Sequence, residues 1–184
     1  MKPKTAGRTT GRCHDANPIR AVDTAVCQAA RTQMCGITAD ATVVTMDGLR
    51  RVRDLHAGDR LVTRNQGAVP LTSIEQHSIV TRAVYVIAGS MGHRQPDRDT
   101  LLPAAQTVHI RDWRARILGN TDGMLVTAQC IVDGEYVRDI GFVPLTVYRL
   151  YCERPQIIYA DGMELGTAGA LATPLKTAPT LYPS

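Results

Sequence analysis

The side chains able to do covalent or proton-transfer chemistry are few and scattered. Cysteines stand at Cys13, Cys27, Cys35, Cys130 and Cys152. A thiolate can attack a carbonyl or ligate a metal. No two of the five form a C-x-x-C, and no histidine pair sits at metal-ligand spacing, so neither a metal nor a cofactor is expected. His14 beside Cys13 reads as a coincidence of the tail. Asp97 and Asp99 flank Arg98 and could act as a carboxylate pair in acid–base work. With Arg94 and Arg98 so near, Asp99 reads more simply as half of a structural ion pair. Gly89-Ser90-Met91-Gly92-His93 lacks the G-x-S-x-G spacing of a nucleophile elbow and reads as a loop. His109 falls in a β-prone run. Strand alternation puts it on the opposite face from Gln106, where it reads as an ordinary strand histidine.

The elements that must carry these groups are mostly strands. Asn17-Pro18 caps and starts a helix. Val22, Val26, Ala29 and Ala30 then recur at helical spacing up to Gly36, predicting a short amphipathic helix over 18–34. From Ile37 the texture changes to short β-rich runs between turns. Asp-Gly pairs occur at 47–48, 122–123, 133–134 and 161–162. This dipeptide favours positive φ and tight hairpins. Strands are expected at 42–46, 49–54, 60–64, 69–74, 79–87, 107–111, 136–139, 145–152 and 157–160, with one helical turn in 125–131. Many short strands at this spacing predict an all-β fold. Residues 1–16 read as a polar tail, and 167–184, rich in Ala, Thr and Pro, as a second tail.

Composition narrows the function classes. The chain has 184 residues, 44% hydrophobic and 21% charged, which argues for a folded domain. No apolar run approaches the ~18 residues of a membrane span. The net charge is +4. Lys2, Lys4, Arg8, Arg12, Arg20 and Arg31 against Asp15 and Asp23 account for all of it, so the remaining body is neutral. A neutral body with 4% aromatic residues argues against nucleic-acid binding. The basic N-terminus has no apolar stretch after it and is no secretory signal. The expected setting is cytoplasmic, or export without an N-terminal signal peptide. No partner is identified by the sequence. The best surface for a protein contact is the run Arg111, Asp112, Trp113, Arg114 and Arg116, read as a strand end with Trp113 packed over an arginine stem.

Residues 37–63 carry a more specific pattern. Thr45, Gly48, Val52, Leu55, Gly58, Asp59, Val62 and Thr63 match a strand ending in Thr, a Gly turn, a "V-x-x-L" and a "G-D-x-V-x-T". Pro96-Asp97-Arg98-Asp99, Leu125-Val126-x-Ala128, Val132-Asp133-Gly134 and Ile158-Tyr159-Ala160-Asp161-Gly162-Met163-Glu164 follow in order. In this the chain resembles Hint domains of bacterial type, the fold shared by the Hedgehog autoprocessing domain and inteins, over about residues 36–166. The resemblance implies a compact β horseshoe preceded by the short helix.

It also implies a reaction. In working relatives a first-residue Cys or Ser attacks the preceding carbonyl, a His protonates the departing amide nitrogen, and a further group resolves the ester. Counting back from Thr45 and Gly48, the nucleophile position falls on Gly36, with Cys35 one residue early. Either a one-residue bulge brings the Cys35 sulfur to the site, or Cys35 is a small buried residue ending the helix. The His position falls on Gln106, which hydrogen-bonds but cannot donate a proton as imidazolium does. Pro155 stands where some bacterial relatives carry His, and no His-Asn pair ends the domain. The catalytic candidates are therefore Cys35, Gln106, Asp99 and His109. The resemblance implies a degenerate member without cleavage activity, acting as a structural or binding module. The alternative is residual self-cleavage of the Met34–Cys35 bond.

Overall fold

A computed structural model describes residues 34–92 and 94–170. The helix expected over 18–34, the N-terminal tail and the chain beyond 170 lie outside these residues, apart from Met34, which is not helical.

The described chain is all-β in two sheets, with one short α-helix. In chain order the strands are β1 Ile37–Thr38, β2 Thr42–Thr45, β3 Gly48–Arg51, β4 Arg60–Thr63, β5 Gly67–Pro70, β6 Ser73–Val86, β7 Thr100–Pro103, β8 Thr107–Ile110, β9 Met124–Thr127, β10 Val137–Tyr151, β11 Ile157–Ala160 and β12 Met163–Gly166. The helix α1, Trp113–Gly119, lies between β8 and β9. One sheet runs β1-β10-β6-β7. The other runs β3-β2-β4-β11-β12-β8-β9, with β5 beside β4. Ile37, Val84, Leu102, Val137 and Leu150 of the first sheet and Val43, Leu61, Val108, Ile158 and Leu165 of the second share one core. Alternation of apolar residues along each strand sends them to that common interior.

Two of the four Asp-Gly pairs make hairpins. Asp47-Gly48 joins β2 to β3, with Gly48 at φ 105° and the Thr45 hydroxyl donating to Gly48 O at 2.7 Å. Asp161-Gly162 joins β11 to β12, both residues at positive φ. The other two do not. Asp122-Gly123 follows α1, and the Asp133 carboxylate caps the backbone N–H groups of Glu135, Tyr136 and Val137 ahead of β10.

Several elements differ from expectation. The separate strands expected at 136–139 and 145–152 are one 15-residue strand, β10, bulged between Asp139 and Gly141. It pairs along its length with β6, so neighbouring backbone rather than local propensity extends both. The strand end expected at 111–116 is α1 instead. Asp112 caps it by accepting from the Arg114 N–H at 3.0 Å, and left-handed Asn120 ends it. Trp113 does lie over an arginine, with the Arg114 guanidinium 5.0 Å from the ring centroid. Residues 167–168 are tied in, Thr167 N donating to Gln156 O and Ala168 N to Leu150 O, both at 2.9 Å. Among the described residues no helix is long and apolar enough to cross a membrane.

Candidate functional site

Pairing of β1 with β10 sets Ile37 opposite Tyr148 and draws the preceding residue, Gly36, against Val147 and Tyr148. A Cβ on Gly36 would stand 3.0 Å from Val147 Cβ and 3.2 Å from Tyr148 O. A side chain here would need Val147 or the Tyr148 carbonyl to give by a few tenths of an ångström. Gln106 approaches from the other sheet. It closes a turn before β8, its N–H donating to Pro103 O at 2.9 Å, and it is 1% exposed.

The Gly36 N–H donates to Gln106 Oε1 at 3.0 Å. Gln106 Nε2 donates to Thr107 O at 3.0 Å and to Gly166 O at 2.8 Å. Carbonyl oxygens only accept, so the amide group cannot be turned over without facing oxygen to oxygen. Both Nε2 hydrogens are thereby committed, and the atom facing the Gly36 nitrogen is an acceptor. Cys35 is a half-buried free thiol in the pocket that Gln106 lines with Tyr148, Leu150 and Gly166. That pocket leaves no room for a water-sized molecule. Cys152 is the other free thiol among the described residues.

Asp99 is not paired with Arg98 or Arg94, as the sequence suggested. Its carboxylate accepts from the Tyr85 hydroxyl and from Ala88 N at 2.9 Å, which together hold its pKa below the ordinary value. Arg98 instead reaches the buried Asp161, with Nε at 3.0 Å and Nη2 at 2.5 Å from Oδ1. Asp161 Oδ1 also accepts from Thr42 N at 2.8 Å. Asp97 packs on Gly162 so closely that a Cβ there would meet Asp97 Oδ1 at 2.7 Å. The Pro96–Asp99 segment thus clamps the β11–β12 turn and ties it to β2.

His109 stands on β8 in contact with β12. Its Nδ1 lies 2.5 Å from Glu164 Oε2 on β12. The Glu164 side chain is 2% exposed and also takes Arg64 Nη1 at 2.8 Å and Arg111 Nη2 at 2.6 Å. Glu164 appeared in the sequence only as the end of a family block. The signal that could have found it is a lone carboxylate in the apolar strand Met163–Gly166, where burial requires counter-charges. Among the described residues no group of three or more His, Cys, Asp or Glu is placed to hold a metal.

A family model described as Hint domain matches residues 35–169. Its match begins at Cys35 and takes in Gly36, Gln106, Arg98 and Asp161. Solved structures similar to the chain include the bacterial intein-like domain from Clostridium thermocellum, 12% identical, covering 72% of this chain and 98% of that one at a TM-score of 0.49. Another is the DnaB intein from Synechocystis sp. PCC 6803, 10% identical, covering 73% and 99% at 0.47. A third is the gp41-1 intein, 8% identical, covering 72% and 98% at 0.44. No curated protein matches the sequence.

Proposed function

The chain belongs to the Hint domain family, and from that premise we propose that this member has lost self-cleavage and serves as a structural or binding module. The supporting observation is the contact between Gln106 and Gly36. Peptide cleavage by acyl shift needs a nucleophile beside the carbonyl and an acid at the departing nitrogen. Here the nitrogen held at the site belongs to glycine, which carries no nucleophile, and a side chain there would be crowded by Val147 and Tyr148. The group touching it is a carboxamide oxygen that brings no proton.

A second reading rests on the Cys35 thiol, which is free and lines the same pocket. In that reaction the Cys35 Sγ bonds to the Met34 carbonyl carbon and the Met34–Cys35 C–N bond breaks. The thiol proton ends on the freed Cys35 amine, leaving a thioester for water or a thiol to resolve. Gln106 holds the next amide along, that of Gly36, so an acid for the Cys35 nitrogen is missing from this contact.

Intact mass spectrometry of the full chain, held for days with and without dithiothreitol, separates the two. The expected result is one unchanged mass, identical in Cys35→Ala. A fragment starting at Cys35 that disappears in Cys35→Ala would overturn the first reading and establish the second.

A further inference from the structure

Strand β6 is paired unevenly on its two sides. β10 runs beside it from Ser73 to Val86, whereas β7 covers the other side only from Ala83 to Val86. Just before that, Arg82 O accepts from Ala104 N at 2.8 Å. Over 73–81 no strand of the described residues lies along this outer edge.

The ladder decides which residues address the edge. Partners in an antiparallel pair turn their N–H and C=O groups both toward each other or both away, alternating along the strand. Thr146, the partner of Ser78, gives its carbonyl to Ala39 N at 3.2 Å on the far side of β10. Ser78 therefore turns outward as well, as Arg82 does four residues on. The register is unbroken from Ser73 to Ala83, so Ile74, Gln76 and Val80 turn outward with it. Natural edges are blunted by Lys, Pro or a bulge. Residues 73–81 contain none of these. The face beside the edge is apolar as well. Val80 is 72% and Phe142 68% exposed, and Pro144, opposite Val80, shares their face.

The edge is complementary to itself. Antiparallel pairing about His77 sets Ile74 opposite Val80 of a second copy and Gln76 opposite its Ser78, and the same in reverse. Every outward residue then meets an outward residue, and each pair exchanges two hydrogen bonds. The overlap stops short of Arg82, whose carbonyl is already taken. Val80 gains an apolar neighbour in Ile74, which packs against the core of its own copy. The charges agree too. Glu75 of one copy faces Ile79 of the other and lies diagonal to its His77. Within one chain Glu75 Oε2 already stands 3.4 Å from His77 Nε2, and Arg149 lies 3.8 Å from the same oxygen. No two carboxylates and no two guanidinium groups are set opposite each other.

We propose that the free edge of β6 is a dimer interface, on which a second copy of this chain continues the β1-β10-β6-β7 sheet across a two-fold axis at His77. The interface is separate from the Cys35–Gly36 peptide and forms whether or not the chain cleaves.

The test is sedimentation equilibrium of the full chain from about 5 µM to about 0.5 mM. The expected result is a reversible monomer–dimer equilibrium. Ser78→Pro deletes an N–H that the chain's own ladder does not use, and should raise the dissociation constant by about tenfold or more. Should Ser78→Pro lose its folded circular dichroism, Val80→Lys takes its place, because it puts a charge on the edge. In His77→Cys the two introduced thiols face each other across the axis, and oxidation followed by peptide mapping should find them joined. A monomer at every concentration overturns the proposal, as does a dimer that is equally tight in these variants. So does an introduced thiol that stays unpaired, or that cross-links within its own chain and so places another segment on this edge.

Discussion

Gln106 accepts a hydrogen bond from the backbone of Gly36, 70 residues away, while donating to Thr107 O and Gly166 O. One buried side chain thus links the entry into β1, the start of β8 and the end of β12. Its three bonds use both of its donor hydrogens and one of its two acceptor lone pairs, which is how a carboxamide can sit at 1% exposure. A carboxamide of any pairing has no proton it can give up near neutral pH.

Truncating that side chain is costly for stability. Gln106→Ala leaves the Gly36 N–H and two carbonyls without their partner in the interior. We expect a loss of about 2–4 kcal/mol, since each unsatisfied buried group costs ~1–3 kcal/mol and some will find water. Urea denaturation followed by circular dichroism measures it. A loss below about 0.5 kcal/mol would mean the contact carries little of the fold.

Gly36→Ala tests the crowding beside β10. The added methyl must displace Val147 or the Tyr148 carbonyl by a few tenths of an ångström. Overpacking of this kind typically costs about 1–3 kcal/mol. A thermal midpoint equal to that of the unaltered chain would refute the steric account of this glycine.

The clamp on the β11–β12 turn gives a third expectation. Asp161→Ala removes the acceptor of Thr42 N and the partner of Arg98. Because the Arg98 side chain is 49% exposed and can regain water, the loss should be about 2–3 kcal/mol, below the 3–5 kcal/mol of a fully buried broken pair. Arg98→Lys, with Asp161 in place, should lose less than Asp161→Ala but still some of the pair's contribution, because an ammonium cannot donate from two fixed nitrogens to one turn. Matched urea curves of the two variants read this directly.

Acid sensitivity follows from Asp133 and Asp139. Burial alone would raise both pKa values. Against it, the N–H groups of Val137, Glu135 and Tyr136 with Arg114 lower that of Asp133. Arg82, Gly141 N–H and Gln129 do the same for Asp139. In both the lowering wins, so the folded state binds the proton less readily than the unfolded one. Their stabilisation is therefore present above the unfolded aspartate value of about 3.9 and is lost as pH falls through the lower folded values. Stability should be level from neutrality to about pH 5 and drop below about pH 4. Asp133→Asn with Asp139→Asn should flatten that drop, as read by denaturation at each pH, and an unchanged slope would assign the acid loss to other groups.

Turn chemistry is local, so the sequence alone pointed to hairpins at all four Asp-Gly pairs, of which those at 47–48 and 161–162 form, and it disclosed the all-β class and the order of the family blocks. It also singled out Gln106 and Gly36, the positions on which the resemblance places the family's His and nucleophile. What depended on register between distant strands was out of reach. The length of β6 and β10 comes from each other's backbone, and α1 forms where charged and aromatic residues looked like a strand end. The partners of Asp99, Arg98 and Glu164 lie 14, 63 and as many as 100 residues away. Only the folding of two sheets over one core brings Gln106 onto Gly36 and gathers Arg64, His109 and Arg111 around one buried carboxylate, because a carboxylate in that interior must be surrounded by charges no local pattern encodes.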